Sequence, residues 1–474
     1  MPLFQSIFQA RPEVIYVVHH HTKATEVLST LRCKLLPTSH PGLVVHDCTG
    51  YIDCAYHHDE AFCQTVIETF ADNVCVLMGN HGMMAVGRAP APPMHSRTNR
   101  LRRPIMKITR IEAVPYSPPL RQFFGRSVKL GFGDLKDLEF GLVRVHTDDG
   151  VTGLGEISNV FAPTGGEQCR IVSNVLAPTL IGQEPARIAQ AHVLMDQSIE
   201  GMEPAKAAID MALYDIVGKS LNVPVHVLLG GQVRPHIDLS FSIMFGASQE
   251  MAALAGELAA DGFKTLKVKV GQGAQHDEDA VRAIRATVGD EVTIRVDANM
   301  AWKTPKQALE TLRRIEPFGI ELAEQPLAAS DLDGMAFIRE RTDIPIMADE
   351  SVWSPRTAMQ VLHRQAADIV SVYVAEAGGL FRAAQIFSMC EAAGVPNAIG
   401  SMPETGVGTA AEVHLGVAMA NLGVAADCCG SAYYDEDILT TPLKIEDGRA
   451  YAPSGPGLGV EIDEDIFKRW CKAD

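Results

Sequence analysis

Four residues that can carry chemistry end four short apolar runs at nearly equal intervals. Lys269 ends Thr265-Leu266-Lys267-Val268-Lys269. Asp297 follows Val292-Thr293-Ile294-Arg295-Val296 28 residues later, Glu324 follows Ile320-Glu321-Leu322-Ala323 after 27 more, and Asp349 follows Ile344-Pro345-Ile346-Met347-Ala348 after another 25. Each gap holds a helix-like stretch. A pitch of 25–28 residues suits one strand–helix unit of a (β/α)₈ barrel, where chemistry gathers at the C-terminal strand ends. Four successive strands would then bring a lysine and three carboxylates to one point.

Carboxylates that close repel one another unless a cation lies between them, and an all-oxygen site suits Mg²⁺, or the related Mn²⁺. Asp297, Glu324 and Asp349 are therefore candidate metal ligands. Lys267 and Lys269 are two apart on a predicted strand and share a face. Adjacent ammoniums and partial burial should each lower a lysine pKa, making one of the pair a usable base.

The net charge of −17 argues against nucleic acid as the main partner. No apolar run approaches the ~20 residues of a membrane helix, and Met1-Pro2-Leu3-Phe4-Gln5-Ser6 does not read as a secretory signal. Ten cysteines without a signal read as thiols of a cytoplasmic protein. Five of those cysteines fall in the first 75 residues and nine of the sixteen histidines in the first 95, so this stretch is compositionally distinct.

Residues 89–105 are rich in proline and arginine and lack apolar periodicity, a linker pattern. Beyond Met106 the chain alternates like strands around the turn Asp148-Asp149-Gly150. Residues 203–219 then place Ile209, Ala212, Leu213, Ile216 and Val217 on one helical face. The expected organisation is an α+β unit at 106–235, a barrel at 236–440 and a tail at 441–474 that packs back on the α+β unit. Strand one is expected at 238–245, six at 369–374, seven at 396–401 and eight at 425–429.

The contexts Val296-Asp297-Ala298-Asn299, Ala323-Glu324-Gln325-Pro326 and Ala348-Asp349-Glu350-Ser351 closely resemble the metal-ligand strands of the enolase superfamily, within it the mandelate racemase/muconate lactonizing enzyme family. Asp149–Glu156, Val227-Leu228-Leu229-Gly230-Gly231 and Ser401-Met402-Pro403-Glu404-Thr405-Gly406 extend the likeness over nearly all of 106–474. The resemblance implies a modified TIM barrel under an α+β capping domain, with Asp297, Glu324 and Asp349 holding the metal. It makes Lys269 the base with Lys267 in support, Glu404 a candidate substrate contact, and Glu350 a neighbour of the ligands. Substrate choice is expected from cap loops at 117–133 and 159–168.

One position departs from the family pattern. The muconate-lactonizing branch ends its sixth strand in Asp-x-x-x-x-Lys, and here Tyr373 stands at the lysine position, five residues after Asp368 and 24 after Asp349. A tyrosine, with a pKa near ~10, is a poor base. The expectation is a lyase or isomerase that takes the α-proton of a small carboxylate through an enediolate, by β-elimination or cycloisomerisation. The alternative is a racemase or epimerase using Lys269 and Tyr373. His363 and His414 fall on predicted helices and are expected to be structural. A homo-oligomer is expected.

Near the N-terminus, Val17-Val18-His19-His20-His21-Thr22 and Gly79-Asn80-His81-Gly82 resemble the His-x-His and Asn-His-Gly motifs of the class II aldolase/adducin family. His19, His21 and His81 are candidate ligands for a vestigial Zn²⁺. Sixteen residues precede the first motif at Val17, and 1–88 is expected to be a partial α/β aldolase-like segment. A second, retro-aldol activity there is the remaining alternative.

Overall fold

The computed structural model describes the backbone of four strands in the first hundred residues and of Val128–Leu130 and Gly133–Leu135, and the full atoms of residues 106–120, 138–160 and 162–471. The chain divides into two compact units, Met1–Ile105 and Met106–Asp474.

In the first unit β1 (Val14–His20), β2 (Thr49–Ile52), β3 (Cys75–Met78) and β4 (Gly82–Arg88) form one sheet in the order β1-β4-β3-β2. The β2–β3 pair is parallel and the other two are antiparallel. His19 lies in β1 across from Met84, whereas His21 and His81 lie outside the described residues.

The second unit begins with an antiparallel sheet of β5 (Ile108–Tyr116), β8 (Phe140–Thr147) and β9 (Thr152–Ile157), with β6 (Val128–Leu130) and β7 (Gly133–Leu135) as a separate ribbon. Helices α1 (Gly165–Ile171), α2 (Ile188–Ser198) and α3 (Glu203–Leu221) follow. The motif Thr152-Gly153-Leu154-Gly155-Glu156 is shaped by α3. A Cβ on Gly153 or Gly155 would lie 2.1 Å from the Ala212 oxygen or 1.8 Å from the Ala208 oxygen. Only glycine allows the helix backbone so close to the sheet.

The barrel is a parallel sheet running in sequence order through β11 (Ser240–Ile243), β12 (Thr265–Lys269), β13 (Thr293–Asp297), β14 (Ile320–Glu324), β15 (Ile346–Ala348), β16 (Ile369–Val372) and β17 (Asn397–Ile399). Parallel strands covered on both faces read as near-continuous apolar runs, and every residue of β12 is buried. The outer helices are α4 (Ser248–Ala260), α5 (Ala274–Val288), α6 (Pro305–Ile315), α7 (Leu332–Arg339), α8 (Pro355–Arg364), α9 (Leu380–Ala393) and α10 (Gly406–Ala418). Side-chain caps by Thr304 and Ser354, each followed by proline, set the starts of α6 and α8.

The eighth position differs from the expected strand. Residues 422–427 close the ring through single parallel bridges, Asn397 to Leu422 and Leu239 to Ala426. The Asp427 amide donates to the Ile399 oxygen at 2.8 Å, and the Ser240 amide to the Ala426 oxygen at 2.8 Å. Strand one is also shorter than expected, because β10 (Ile237–Asp238) leaves to pair with β19 (Arg449–Ala450) beside β18 (Ile445–Glu446). The last helix, α11 (Glu464–Trp470), packs on the cap sheet: Tyr116 meets Phe467 and Trp470 at ring distances of 5.6 and 6.4 Å, and Arg144 pairs with Glu464 at 2.6 Å.

Candidate active site

Strand register sets the site. Lys269 is the lateral partner of Asp297, and Asp297 of Glu324. Glu324 is level with Met347, so Asp349 emerges two residues further on, just past β15. One pleat below, Lys267 is level with Arg295. Residues two apart on a strand share a face, so both rungs enter the barrel interior.

The upper rung is tightly bonded. The Lys269 ammonium donates to Asp297 Oδ2 and to Asn299 Oδ1, each at 2.6 Å. Asn299 Nδ2 donates to Glu350 Oε1 at 3.1 Å. In the lower rung Lys267 Nζ lies 2.5 Å from Asp427 Oδ2, 3.2 Å from Glu324 Oε1 and 3.5 Å from Asp297 Oδ2. Arg295 pairs with Asp427 and donates to the Ala425 oxygen at 2.8 Å.

For Lys267 this company works against the lowered pKa that adjacent ammoniums and burial would give a lysine of the pair. Burial disfavours its charge, but Asp427, Glu324 and Asp297 outweigh burial and hold its pKa well above the usual lysine range. The same attraction acts in reverse: burial would raise Asp297, yet Lys269 and Lys267 hold it low. Asp349 is different. Burial, then Glu350, Glu324 and Asp297, push its carboxyl well above the ordinary range. Glu350 is pushed up to about 7, first by burial and then by Asp297.

Tyr373 is the N-cap residue of a short helix, Val374–Ala377, and its ring lies against the Gly400 backbone. Its hydroxyl donates to Asp349 Oδ2 at 3.1 Å. Burial, then the Asp349 and Glu324 charges, push that hydroxyl well above its ordinary pKa. Gln325, with a left-handed φ of 33°, turns its amide oxygen to accept from the Asp349 and Ser351 amides at 2.9 and 3.2 Å. The loop that carries Asp349 is therefore held through the residue that follows Glu324.

Among the described residues no three His, Cys, Asp or Glu side chains stand grouped as a metal cage. The ammoniums of Lys267 and Lys269 draw the Asp297 and Glu324 oxygens toward themselves instead. The donor set nonetheless fits a cation. Glu324 Oε2, Asp349 Oδ1 and Glu350 Oε2 are buried with no hydrogen-bond partner. Five carboxyl groups, of Asp297, Glu324, Asp349, Glu350 and Asp427, crowd three cationic side chains, and excess negative charge in a low-dielectric interior calls for a hard cation.

Glu404 stands apart from this network. It is fully buried at the seam with the cap, accepting from Ser401, from the Met402 amide at 2.9 Å and from Ser158 at 3.5 Å. Beside it, Glu156 of β9 accepts from the Thr405 amide and hydroxyl at 2.8 and 2.7 Å and from the Gly408 amide at 3.0 Å, capping α10. Sequence reading missed Asp427, Arg295, Asn299 and Glu156. Arg295 carried a signal: it precedes Asp297 by the same two residues that separate Lys267 from Lys269.

Fold and site together define a barrel enzyme with acid–base groups and carboxylates at its strand ends. The comparisons agree. Residues 250–466 match the enolase C-terminal domain-like family and 121–230 the mandelate racemase/muconate lactonizing enzyme N-terminal domain, while 1–94 match the class II aldolase and adducin N-terminal domain. The chain is 34% identical to an N-succinyl-L-Arg/Lys racemase of Bacillus cereus over 77% of its length and 97% of that protein. A muconate lactonizing enzyme of Pseudomonas fluorescens, solved with muconolactone, superposes with a TM-score of 0.74 at 30% identity, covering 78% of this chain and all of that one (100%). A dipeptide epimerase of Enterococcus faecalis, solved with Mg and the dipeptide L-Leu-L-Tyr, gives 0.71 at 29% identity over 75% of this chain and 99% of that one. The protein belongs to the mandelate racemase/muconate lactonizing enzyme family of the enolase superfamily, with a class II aldolase-like segment at its N-terminus.

Proposed function

We propose that the protein is a metal-dependent isomerase or lyase that takes the α-proton of a small carboxylate substrate from one face, with Lys269 as the base. The observation that carries this reading is the asymmetry between the two candidate acid–base positions. Lys269 ends β12 beside Asp297, while the position after β16 holds a buried tyrosine whose hydroxyl donates to Asp349. Lys267 is unsuited to the role, because three carboxylates favour its charged form. Tyr373, pushed up by burial and nearby carboxylates, stays protonated and serves as a donor.

A single base supports ring closure or opening of an unsaturated carboxylate, or β-elimination. Racemisation or epimerisation by Lys269 and Tyr373 would need a tyrosinate, which this surrounding disfavours. Asp297, Glu324 and Asp349 would hold Mg²⁺ or Mn²⁺, and the bound cation would offset negative charge developing on the substrate carboxylate. The unpartnered oxygens of Glu324 and Asp349 support that assignment, as does the likeness to an epimerase solved with Mg.

Screening hydroxy acids, amino-acid derivatives and lactones with Mg²⁺ in D₂O tests the reading, because α-proton exchange is visible even where turnover is slow. Glu324→Gln should abolish exchange while leaving the fold intact. Full activity after exhaustive chelation would contradict the metal assignment.

A further inference from the structure

We infer that Asn299 is a positioning residue for Lys269, whose side-chain oxygen sets the direction of the lysine lone pair. The inference rests on the reading of Lys269 as the base. An ammonium has three N–H bonds, and the two short contacts of Nζ, to Asp297 Oδ2 and Asn299 Oδ1, both at 2.6 Å, engage two of them. The third N–H has one direction left, and that is the direction of the lone pair once its proton has gone. When the lysine takes a proton, the C–H electron pair stays on the substrate carbon and the new N–H lies along that same direction. Removal and return of the proton then follow one line.

Asn299 is itself held from three sides. Its Nδ2 donates to Glu350 Oε1 at 3.1 Å, and its backbone amide donates to Asp297 Oδ1 at 2.8 Å. Its φ of 39° lies in the left-handed region, and Met300 beside it, at 65°, donates to the Gln325 oxygen at 2.9 Å. Asparagine tolerates this region better than most residues. The amide orientation follows from its neighbours: the reverse would set NH₂ against an ammonium and C=O against a carboxylate. Asp297 is also a candidate metal ligand, so its hold on Lys269 competes with a cation. Asn299 is neutral and has no such second claim.

The test is Asn299→Gly, which removes the side chain and keeps a residue suited to positive φ. Misplacement of a reacting group by about 1 Å can cost ~10²-fold, so α-proton exchange in D₂O and kcat should fall roughly 10–100-fold. KM, calorimetric Mg²⁺ affinity and melting temperature should remain those of the parent, which a merely structural role would not give. Should Asn299→Gly fail to fold, Asn299→Ser, whose side chain is too short to reach Nζ, is read in the same way. Exchange at the parental rate would overturn the inference, and so would a raised KM with exchange intact, since Asn299 would then contact substrate. Lys269→Ala is run in parallel. Exchange surviving there overturns the base assignment. Exchange lost there but parental in Asn299→Gly overturns the positioning role alone.

Discussion

Lys267 and Arg295 enter the barrel on one rung, and Asp427 serves both. Removing one partner of a buried ion pair typically costs about 3–5 kcal/mol, because the remaining charge is left uncompensated. Asp427→Asn is therefore expected to destabilise the protein by about that amount, read by denaturant unfolding. The histidines give a second expectation. His226 and His414 meet Nδ1 to Nδ1 at 3.1 Å, and His414 Nε2 faces the Leu458 oxygen at 3.1 Å. With Nε2–H donating to that carbonyl, His414 Nδ1 accepts from His226 and both rings are neutral. Burial lowers the His414 pKa to about 4. The unfolded chain then binds the proton first, so stability is present above about pH 6.5 and is lost as pH falls from there toward 4. The loss should reach about 3 kcal/mol. His414→Gln, which can still accept from His226 and donate to Leu458, should remove this part of the acid sensitivity in unfolding curves at pH 7 and 4.5. A structural His414 was legible from its helical setting. Asp427 was not, because its partners lie 160 and 132 residues away.

Elements decide how cap and barrel are built. Gly155 lets α3 rest directly on β9, and a Cβ there would meet the Ala208 oxygen at 1.8 Å. Gly155→Ala should lower stability by at least about 1–3 kcal/mol, seen as a lower melting temperature. No change would mean that sheet and helix separate without penalty. Strand-end residues of β12, β13 and β14 were legible because parallel strands repeat at a fixed pitch and end in polar side chains. The eighth position was legible in part: the expected 425–429 overlaps residues 422–427, which hold their place through single bridges and not as a paired strand. Glu404 was placed near substrate from its setting after β17. The structure buries it at the cap seam, where its three donors come from the same turn and from Ser158.

At the scale of the molecule, Met106–Asp474 forms one compact unit with barrel and cap cores of its own. A chain starting at Met106 is expected to unfold in a single cooperative transition and keep metal-dependent turnover. An insoluble product, with the full chain active, would place the boundary elsewhere. The proline- and arginine-rich stretch before Met106 is the sequence signal at this division, whereas no periodic pattern marks a substrate. On the proposed reading, residues spread over four strands act as one site with a base on a single face. The most direct measurement is α-proton exchange in D₂O with Mg²⁺ for Lys269→Ala and Tyr373→Phe side by side. General acid–base assistance is worth ~10²–10⁴-fold, so Lys269→Ala should lose exchange, while Tyr373→Phe should turn over more slowly with exchange still measurable. Exchange that survives in Lys269→Ala and disappears in Tyr373→Phe would contradict the account and make Tyr373 the base.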